Sequence, residues 1–345
     1  MRVLVVNAGS TSLKLHVVDG ERSEPIDSLG RPPAVDAVAH RVVHGGPRFR
    51  EPVVIDDEVL DAIAGLRSLA PLHNAPALRG IKAARAALPD VPHVAVFDTA
   101  FHETIPDEAS TYALPARWRI DWGIRRYGFH GLSVQWSAER AAALLGGDRR
   151  LVVAHLGGGC SVTAVRGGRS LDTTMGFSPL EGVPMTTRSG SLDPGAVLYV
   201  LRERGVALDD VDHALNEESG VKGLAGLDSM RSVEEAAAMG DVAAELALRV
   251  FCHRIAGAVG AMAVAADGLD ALVFTAGIGE NSAVVRADVC SRLSSLGVSL
   301  DIAANAAPDD DRDISGADSA ARVLVIHARE ELVAARAADR TLTKP

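Results

Sequence analysis

The chain has 345 residues, 48% hydrophobic and 23% charged, which excludes a wholly disordered or fibrous protein and fits one large or two medium domains. Thirty-five basic against 45 acidic residues leave a formal net charge of −10, and with no long basic run a nucleic acid is not an expected partner. Cys160, Cys252 and Cys290 are widely spaced and odd in number, which suggests neither a disulfide framework nor a zinc knuckle and fits a reducing cytoplasm.

Residues 2–6 (RVLVV) read as a strand that starts at once, with no signal peptide ahead of it. A polar turn follows at 7–12, then a second strand at 13–18 in period-2 alternation. The same order returns at 151, where LVVAH reads as a strand, LGGGCS as a glycine-rich turn and VTAVRGG as another strand. This repetition suggests a remote duplication of one strand–phosphate-loop–strand unit, although any α/β protein carries several glycine-rich hairpins. Alternations of alanine, leucine and charge at 137–145, 233–247 and 248–266 predict helices. The longest strongly apolar stretch, 255–266, is too short to cross a bilayer, so no membrane is expected. A third glycine-rich turn, 274–281 (FTAGIGEN), follows a strand at 269–274, and a last helix is expected from about 330 to 340. Alternating strands and helices make the class α/β, with a boundary near 148 at the GGDRR turn.

Three turns carry the chemistry. Asn7, Ser10, Thr11, Ser12 and Lys14 surround one turn with an amide, hydroxyls and an amine that can cradle phosphate oxygens. No helix with a GK[ST] start follows, so this is not a Walker A loop. The 155–161 turn (HLGGGCS) lets a ligand approach the backbone closely, and the 277–280 turn (GIGE) adds a third such place. Arg41, in HRVVHGG, and Arg188, in TTRSG, have the planar fork that suits carboxylate and phosphate oxygens. Asp98 follows an apolar strand and His130 ends RRYGFHG, places that suit a polar site. Each of these residues alone also fits an ordinary structural role. Glu330 and Glu331 open the last helix, where acids are favoured by the dipole anyway.

VNAGSTSLK, HRVVHGG, PLHNAP, FDTAFH, RRYGFHG, HLGGGCS, DTTMGFSPLEG, TRSGSLDPG and FTAGIGENS together resemble the successive signature blocks of the acetate kinase family, in its order along nearly the whole chain. The resemblance implies an α/β fold of the duplicated actin, Hsp70 and sugar-kinase type, with two domains and a cleft between them. Residues 1–147 would form the first domain, completed by 330–345, and 148–329 the second, on the nucleotide side with the dimer contacts. It implies reversible phosphoryl transfer from ATP to acetate with Mg²⁺, or possible Mn²⁺, giving ADP and acetyl phosphate in a cytoplasmic homodimer.

By position, the resemblance sets Arg41 and Arg188 around the acetate carboxylate and the phosphoryl group in flight, with His130 donating to that group. Asp98 would orient an arginine or metal-bound water, and Asn7 with Glu330 would hold the metal. Ser10, Ser12 and Lys14 would line the phosphate end. Val43, Leu72, Phe129 and Pro179 resemble the pocket for the acetate methyl, and His73 a supporting histidine. The nucleotide would meet His155, Leu156, Gly157, Gly158 and Gly159, then Asp228, Ser229, Met230 and Arg231. Gly277, Ile278, Gly279, Glu280 and Asn281 would complete that side, with Gly277 and Ile278 against adenine.

The chain departs from the family pattern at several places. Gly158 stands for an asparagine, Leu132 and Val134 for a hydroxyl and an imidazole, Ser191 for an acid, and IHAREE replaces PTDEE or PTNEE. The stretch 20–38 is shorter than in relatives. A propionate-preferring kinase is the second reading, since one methylene discriminates only about 1–3 kcal/mol. A non-enzymatic actin-like nucleotide-binding protein is the third, and a carboxylate clamp of Arg41, Arg188 and His130 argues against it.

Overall fold

Apolar runs buried on both faces build the parallel strands of the first sheet. In this computed structural model the described residues are 1–8, 13–30, 32–66, 71–306 and 310–344, with the backbone alone for 71–73. Ser10, Ser12 and the side chains of Leu72 and His73 lie outside that description. Strands β1 (Arg2–Ala8), β2 (Leu13–Asp19), β3 (Arg22–Ile26), β4 (Ala37–Val42), β5 (Val53–Val54) and β6 (His93–Phe97) form one sheet ordered β3-β2-β1-β4-β6-β5. The first three strands pair antiparallel, while β1, β4 and β6 run parallel. Val3 and Val5 of β1 pack with the last helix, Glu330–Thr343, through Leu332, Val333 and Ala337. Leu4 and Val6, on the opposite face, pack with Leu15, Val17, Val38 and Ala84. Both faces of the sheet are therefore covered, as a parallel core requires.

Strands β7 (Leu151–Leu156), β8 (Cys160–Arg166), β9 (Arg169–Thr173), β10 (Ala271–Thr275), β11 (Arg312–Asp313) and β12 (Arg322–Val325) form the second sheet, ordered β11-β12-β10-β7-β8-β9. Read from β9, it repeats the first sheet strand for strand. An antiparallel run β9-β8-β7 continues into parallel β10 and β12, and the antiparallel edge strand again precedes its neighbour in sequence. The duplication suggested by two strand–turn–strand units thus extends to the whole sheet topology.

By internal contacts the chain divides into two compact units. One comprises Met1–Ile105, Ser110–Trp136 and Arg329–Pro345, and the other Pro106–Ala109 and Ser137–Ala328.

The expected helices at 233–247 and 248–266 are divided elsewhere. Helices run from Met230 to Ala238 and from Val242 to Ala265. Gly240 supplies a left-handed φ of 87°, and Asp241 caps the longer helix by accepting from Ala244 N–H at 2.8 Å. The Val242–Ala265 helix is long and apolar enough to cross a membrane by length and composition. Its Ala244, Ala247, Phe251, Ile255 and Val259 recur at helical spacing and are buried within the second unit, so it serves as a core helix.

Two histidines are built into the first sheet. His40 Nε2 lies 2.9 Å from His93 Nδ1, the rings stack, and His93 Nε2 lies 3.0 Å from the Leu88 carbonyl. The carbonyl can only accept, so His93 carries its proton on Nε2 and takes the His40 proton on Nδ1. His40 Nδ1 is then a buried acceptor with no partner among the described residues. Burial, with His93 and Arg85 adding to it, pushes His40 down to about 3. Burial also lowers His93, against the Leu88 bond. Histidines held neutral in the fold take up protons on unfolding, so their contribution is complete above the unfolded value near 6.5 and is lost as pH falls toward 3. The slope of unfolding free energy against pH between about 6 and 4.5 should fall by up to about 1.4 kcal/mol per pH unit in His40→Gln. Urea unfolding at several pH values measures this, and parallel curves for parent and variant would show that His40 is not held neutral.

Candidate active site

Strand register assembles the polar cluster of the first unit. Asn7 stands opposite Lys14 on β2 and beside Arg41 on β4, and Arg41 is paired with Val96. Asp98 follows one residue after β6 ends. The carboxyl ends of three parallel strands therefore deliver Asn7, Arg41 and Asp98 to one edge of the sheet, where α/β proteins place their ligands.

Arg41 is gripped from two sides. Its Nε and Nη2 donate to the Asp98 carboxylate at 3.0 and 2.6 Å, and its Nη1 donates to Asn7 Oδ1 at 3.3 Å and meets Glu330 Oε2 at 2.8 Å. Asn7 Nδ2 donates to the same Glu330 oxygen at 3.2 Å. Asp98 is wholly buried, while Arg41 and Glu330 keep 17% and 15% of their side chains exposed. Burial works against the Arg41 charge, but the Asp98 and Glu330 carboxylates outweigh it and hold its pKa above the ordinary value.

His130 sits ahead of the Gly131–Leu145 helix with φ 60°, a left-handed conformation uncommon for a residue with a Cβ. Its carbonyl accepts from Val134 N–H at 2.9 Å. The next residue must be glycine, because a Cβ on Gly131 would lie 2.0 Å from the Asp98 carbonyl oxygen. That close approach sets His130 next to the Asp98 backbone. His102 Nε2, 2.9 Å from the Phe129 carbonyl, supports the same corner, and burial pushes it down to about 4 against that bond and Asp98. Phe129 is buried and meets the His44 ring edge-on. Val42 joins the core around Phe97, whereas Val43 lies past the end of β4, 8% exposed. Lys14 is exposed.

In the second unit, the Arg188 loop is strapped to its neighbours by backbone bonds. Ser219 N–H donates to Thr187 O at 2.9 Å, Lys222 N–H to Thr186 O at 2.9 Å, and Thr186 N–H to Gly158 O at 3.3 Å. The last bond joins this loop to the 157–159 turn, where Gly157 N–H donates to Gly159 O at 3.0 Å. Gly220 permits the packing, since its φ is 62° and a Cβ would lie 2.7 Å from the Arg188 carbonyl. Arg188 Nη1 donates to the Pro179 carbonyl at 3.2 Å, and burial lowers its pKa. His155 and Leu156, at the end of β7, are buried.

A cavity of about 510 Å³ in the same unit is lined by Met230, Arg231, Gly277, Ile278 and Asn281, together with Glu234, Glu235 and Ser282. The last three escaped the sequence reading, although Glu234 and Glu235 stand one turn after Met230 and Arg231 on the same helix. Ser282 donates to Glu234 across this cavity. Asp228 and Ser229 are not among its lining residues, and Ser229 caps the helix by accepting from Ser232 N–H at 3.1 Å. The expected turn after β10 is a short helix, Ala276–Asn281, opened by Ala276 at φ 65°. Gly279 is buried in it, and one oxygen of Glu280 accepts two backbone N–H groups instead of lining the cavity.

The sequence model of the acetokinase family matches residues 28–336. An acetate kinase from Nostoc punctiforme is 50% identical over 317 residues, covering 91% of this chain and 77% of the relative. One from Pseudarthrobacter chlorophenolicus is 47% identical and covers 98% of both. Among solved structures, a propionate kinase from Francisella tularensis superposes with a TM-score of 0.90 at 36% identity, covering 97% of this chain and 98% of that one. An acetate kinase from Porphyromonas gingivalis gives 0.89 at 33%, covering 99% and 100%.

Removing one member of a buried ion pair leaves the other uncompensated, so Asp98→Ala and Arg41→Ala should each cost about 3 kcal/mol of stability. The double variant should be no less stable than the weaker single one. Urea unfolding of the three proteins closes the cycle, and additive losses would show that the two side chains do not act as a pair.

Proposed function

The chain belongs to the acetokinase family, and on that premise we propose that it is an acetate kinase, moving the γ-phosphoryl group of ATP to acetate and back. The observation that carries this reading is the Arg41 guanidinium, fixed by a wholly buried carboxylate at the carboxyl edge of the first sheet. Forward, a carboxylate oxygen of acetate bonds to the γ-phosphorus as the bond to the bridging oxygen breaks, giving acetyl phosphate and ADP. Acetate is already ionised near pH 7, so no general base is needed. Such a transfer depends on positioning and on stabilising charge over the phosphoryl oxygens.

Arg41, Arg188 and His130 are proposed to supply that stabilisation. The contacts to Asp98, Asn7 and Glu330 engage most Arg41 donors, so Arg41 acts on a ligand chiefly through its charge. Asp98 orients it. Lys14 is proposed for the phosphate end, and the 155–159 turn with Gly277, Ile278, Asn281, Met230 and Arg231 for the nucleotide. Val43, Phe129 and Pro179 are proposed around the acyl tail.

The reaction implies Mg²⁺. Among the described residues no group of three or more His, Cys, Asp or Glu side chains could hold a metal. Mg²⁺, however, keeps several waters and takes one or two protein oxygens beside substrate phosphates. The Glu330 carboxylate and Asn7 Oδ1 are such hard donors and lie within one hydrogen-bonded cluster, so the residues fit the ion. Bound there, it would neutralise charge on the phosphate oxygens. Three buried free thiols support a cytoplasmic setting, and the homodimer rests on the family alone.

Trapping acyl phosphate with hydroxylamine, with ATP and acetate supplied, tests the activity directly. Arg188→Ala should lower kcat by about 100-fold or more, the usual loss when one transition-state charge partner is removed. Near-parent kcat would remove Arg188 from the site.

The Francisella propionate kinase keeps propionate as a second reading. Val43→Ala removes two methyl groups, and at about 0.8 kcal/mol per buried methylene propionate should gain on acetate by roughly threefold to tenfold in kcat/KM. An unchanged ratio with a lower Tm would assign Val43 to the core.

A further inference from the structure

Glu280 belongs to the short helix whose Gly277, Ile278 and Asn281 line the cavity of the second unit. A single oxygen of its carboxylate, Oε1, accepts from Ala276 N–H at 2.8 Å and from Ala328 N–H at 2.9 Å. Ala276 is the left-handed residue that opens the turn, and Ala328 is the last residue of the second unit. The two come together because they follow the adjacent parallel strands β10 and β12. The residue before Ala328 is held in the same way, since His327 N–H donates to Asp311 Oδ1 at 2.8 Å. The other Asp311 oxygen accepts from Arg140 Nε at 2.7 Å, on the Gly131–Leu145 helix. Past the end of β12, two consecutive backbone N–H groups are thus each held by a carboxylate. Two residues beyond Ala328, Glu330 meets Arg41 and Asn7.

We propose that Glu280 is a positioning residue that couples the nucleotide-facing turn to the placement of Glu330, with Asp311 and Arg140 anchoring the same segment. This rests on the acetate kinase reading, in which the turn meets the nucleotide and Glu330 the metal. Because one oxygen serves both N–H groups, a shift of Ala276 strains the bond to Ala328, and a shift of Ala328 loosens the turn. Nucleotide and metal binding are therefore reciprocal through Glu280. Glu280 itself touches neither ligand.

The test separates reach from charge. Glu280→Gln keeps an acceptor oxygen at the same reach without the charge. Glu280→Asp keeps the charge one methylene short, so it cannot serve both N–H groups. Calorimetric titration of the full chain with ADP, with and without Mg²⁺, needs no turnover, and KM for MgATP and acetate and the half-saturating Mg²⁺ complete the set. Losing a hydrogen bond to a charged group is worth about tenfold, so Glu280→Asp should weaken MgADP binding about tenfold and raise the half-saturating Mg²⁺ at least about fivefold. KM for acetate should stay within about twofold and Glu280→Gln within about threefold of the parent throughout. Four results would overturn the proposal: an aspartate variant equal to or better than the glutamine one, a Tm loss with unchanged binding, a nucleotide effect without a Mg²⁺ effect, or a parent that binds no MgADP. If the parent forms no acyl phosphate, the activity reading fails, and the calorimetric comparison still decides the role of Glu280.

Discussion

A carboxylate with no exposure to water must have a partner, and Asp98 has one in Arg41. Much of the first unit is arranged around that requirement. β4 and β6 must be adjacent and parallel for Arg41 to stand over the end of β6, and β1 must flank β4 for Asn7 to reach the guanidinium. The last helix must pack on the same sheet for Glu330 to meet its outer nitrogen. Gly131 must lack a side chain for the His130 corner to close over the Asp98 backbone. Losing the pair would therefore disturb several elements together.

The second unit applies the same topology to different chemistry. β7, β10 and β12 run parallel, and their carboxyl ends lead into the 157–159 turn, the Ala276–Asn281 helix and the segment ending at Ala328. In both sheets the functional candidates cluster where the ladder stops and backbone groups need other partners. In the first unit side-chain charges fill that edge. In the second, glycines leave much of it as bare backbone, and the Glu280 and Asp311 carboxylates take up N–H groups beyond the end of β12. The long Val242–Ala265 helix is apolar because it lies on this second sheet.

Much of this was legible in the residues. Apolar β-rich runs located β1, β7 and β8, period-2 alternation located β2, and the repeated strand–turn–strand order pointed to the duplication. Asn7 and Asp98 were read just past apolar strands, and Arg41 was singled out for its planar fork, but their common edge was not foreseen. The helix division near 240 was missed because alanine-rich spacing continues through it, and only the left-handed Gly240 and the Asp241 cap stop it. Glu280 was read with its turn, and its side chain turns to two backbone N–H groups instead. Glu234 and Glu235 were passed over within the helix expected at 233–247, and they line a cavity.

The sequence by itself determined what depends on neighbours along the chain: strands, glycine turns, the α/β class and the family's ordered motifs. Tertiary structure alone decided which distant residues meet. Arg41, Asp98 and Glu330 are brought together by strand order and the packing of the last helix, and Ala276 and Ala328 by adjacent parallel strands. Local pattern cannot supply those pairings, because parallel strands are joined by long crossovers whose ends carry no mark of their partner. Charge follows the same division: the sequence supplies a carboxylate and a guanidinium, and only burial makes each indispensable to the other.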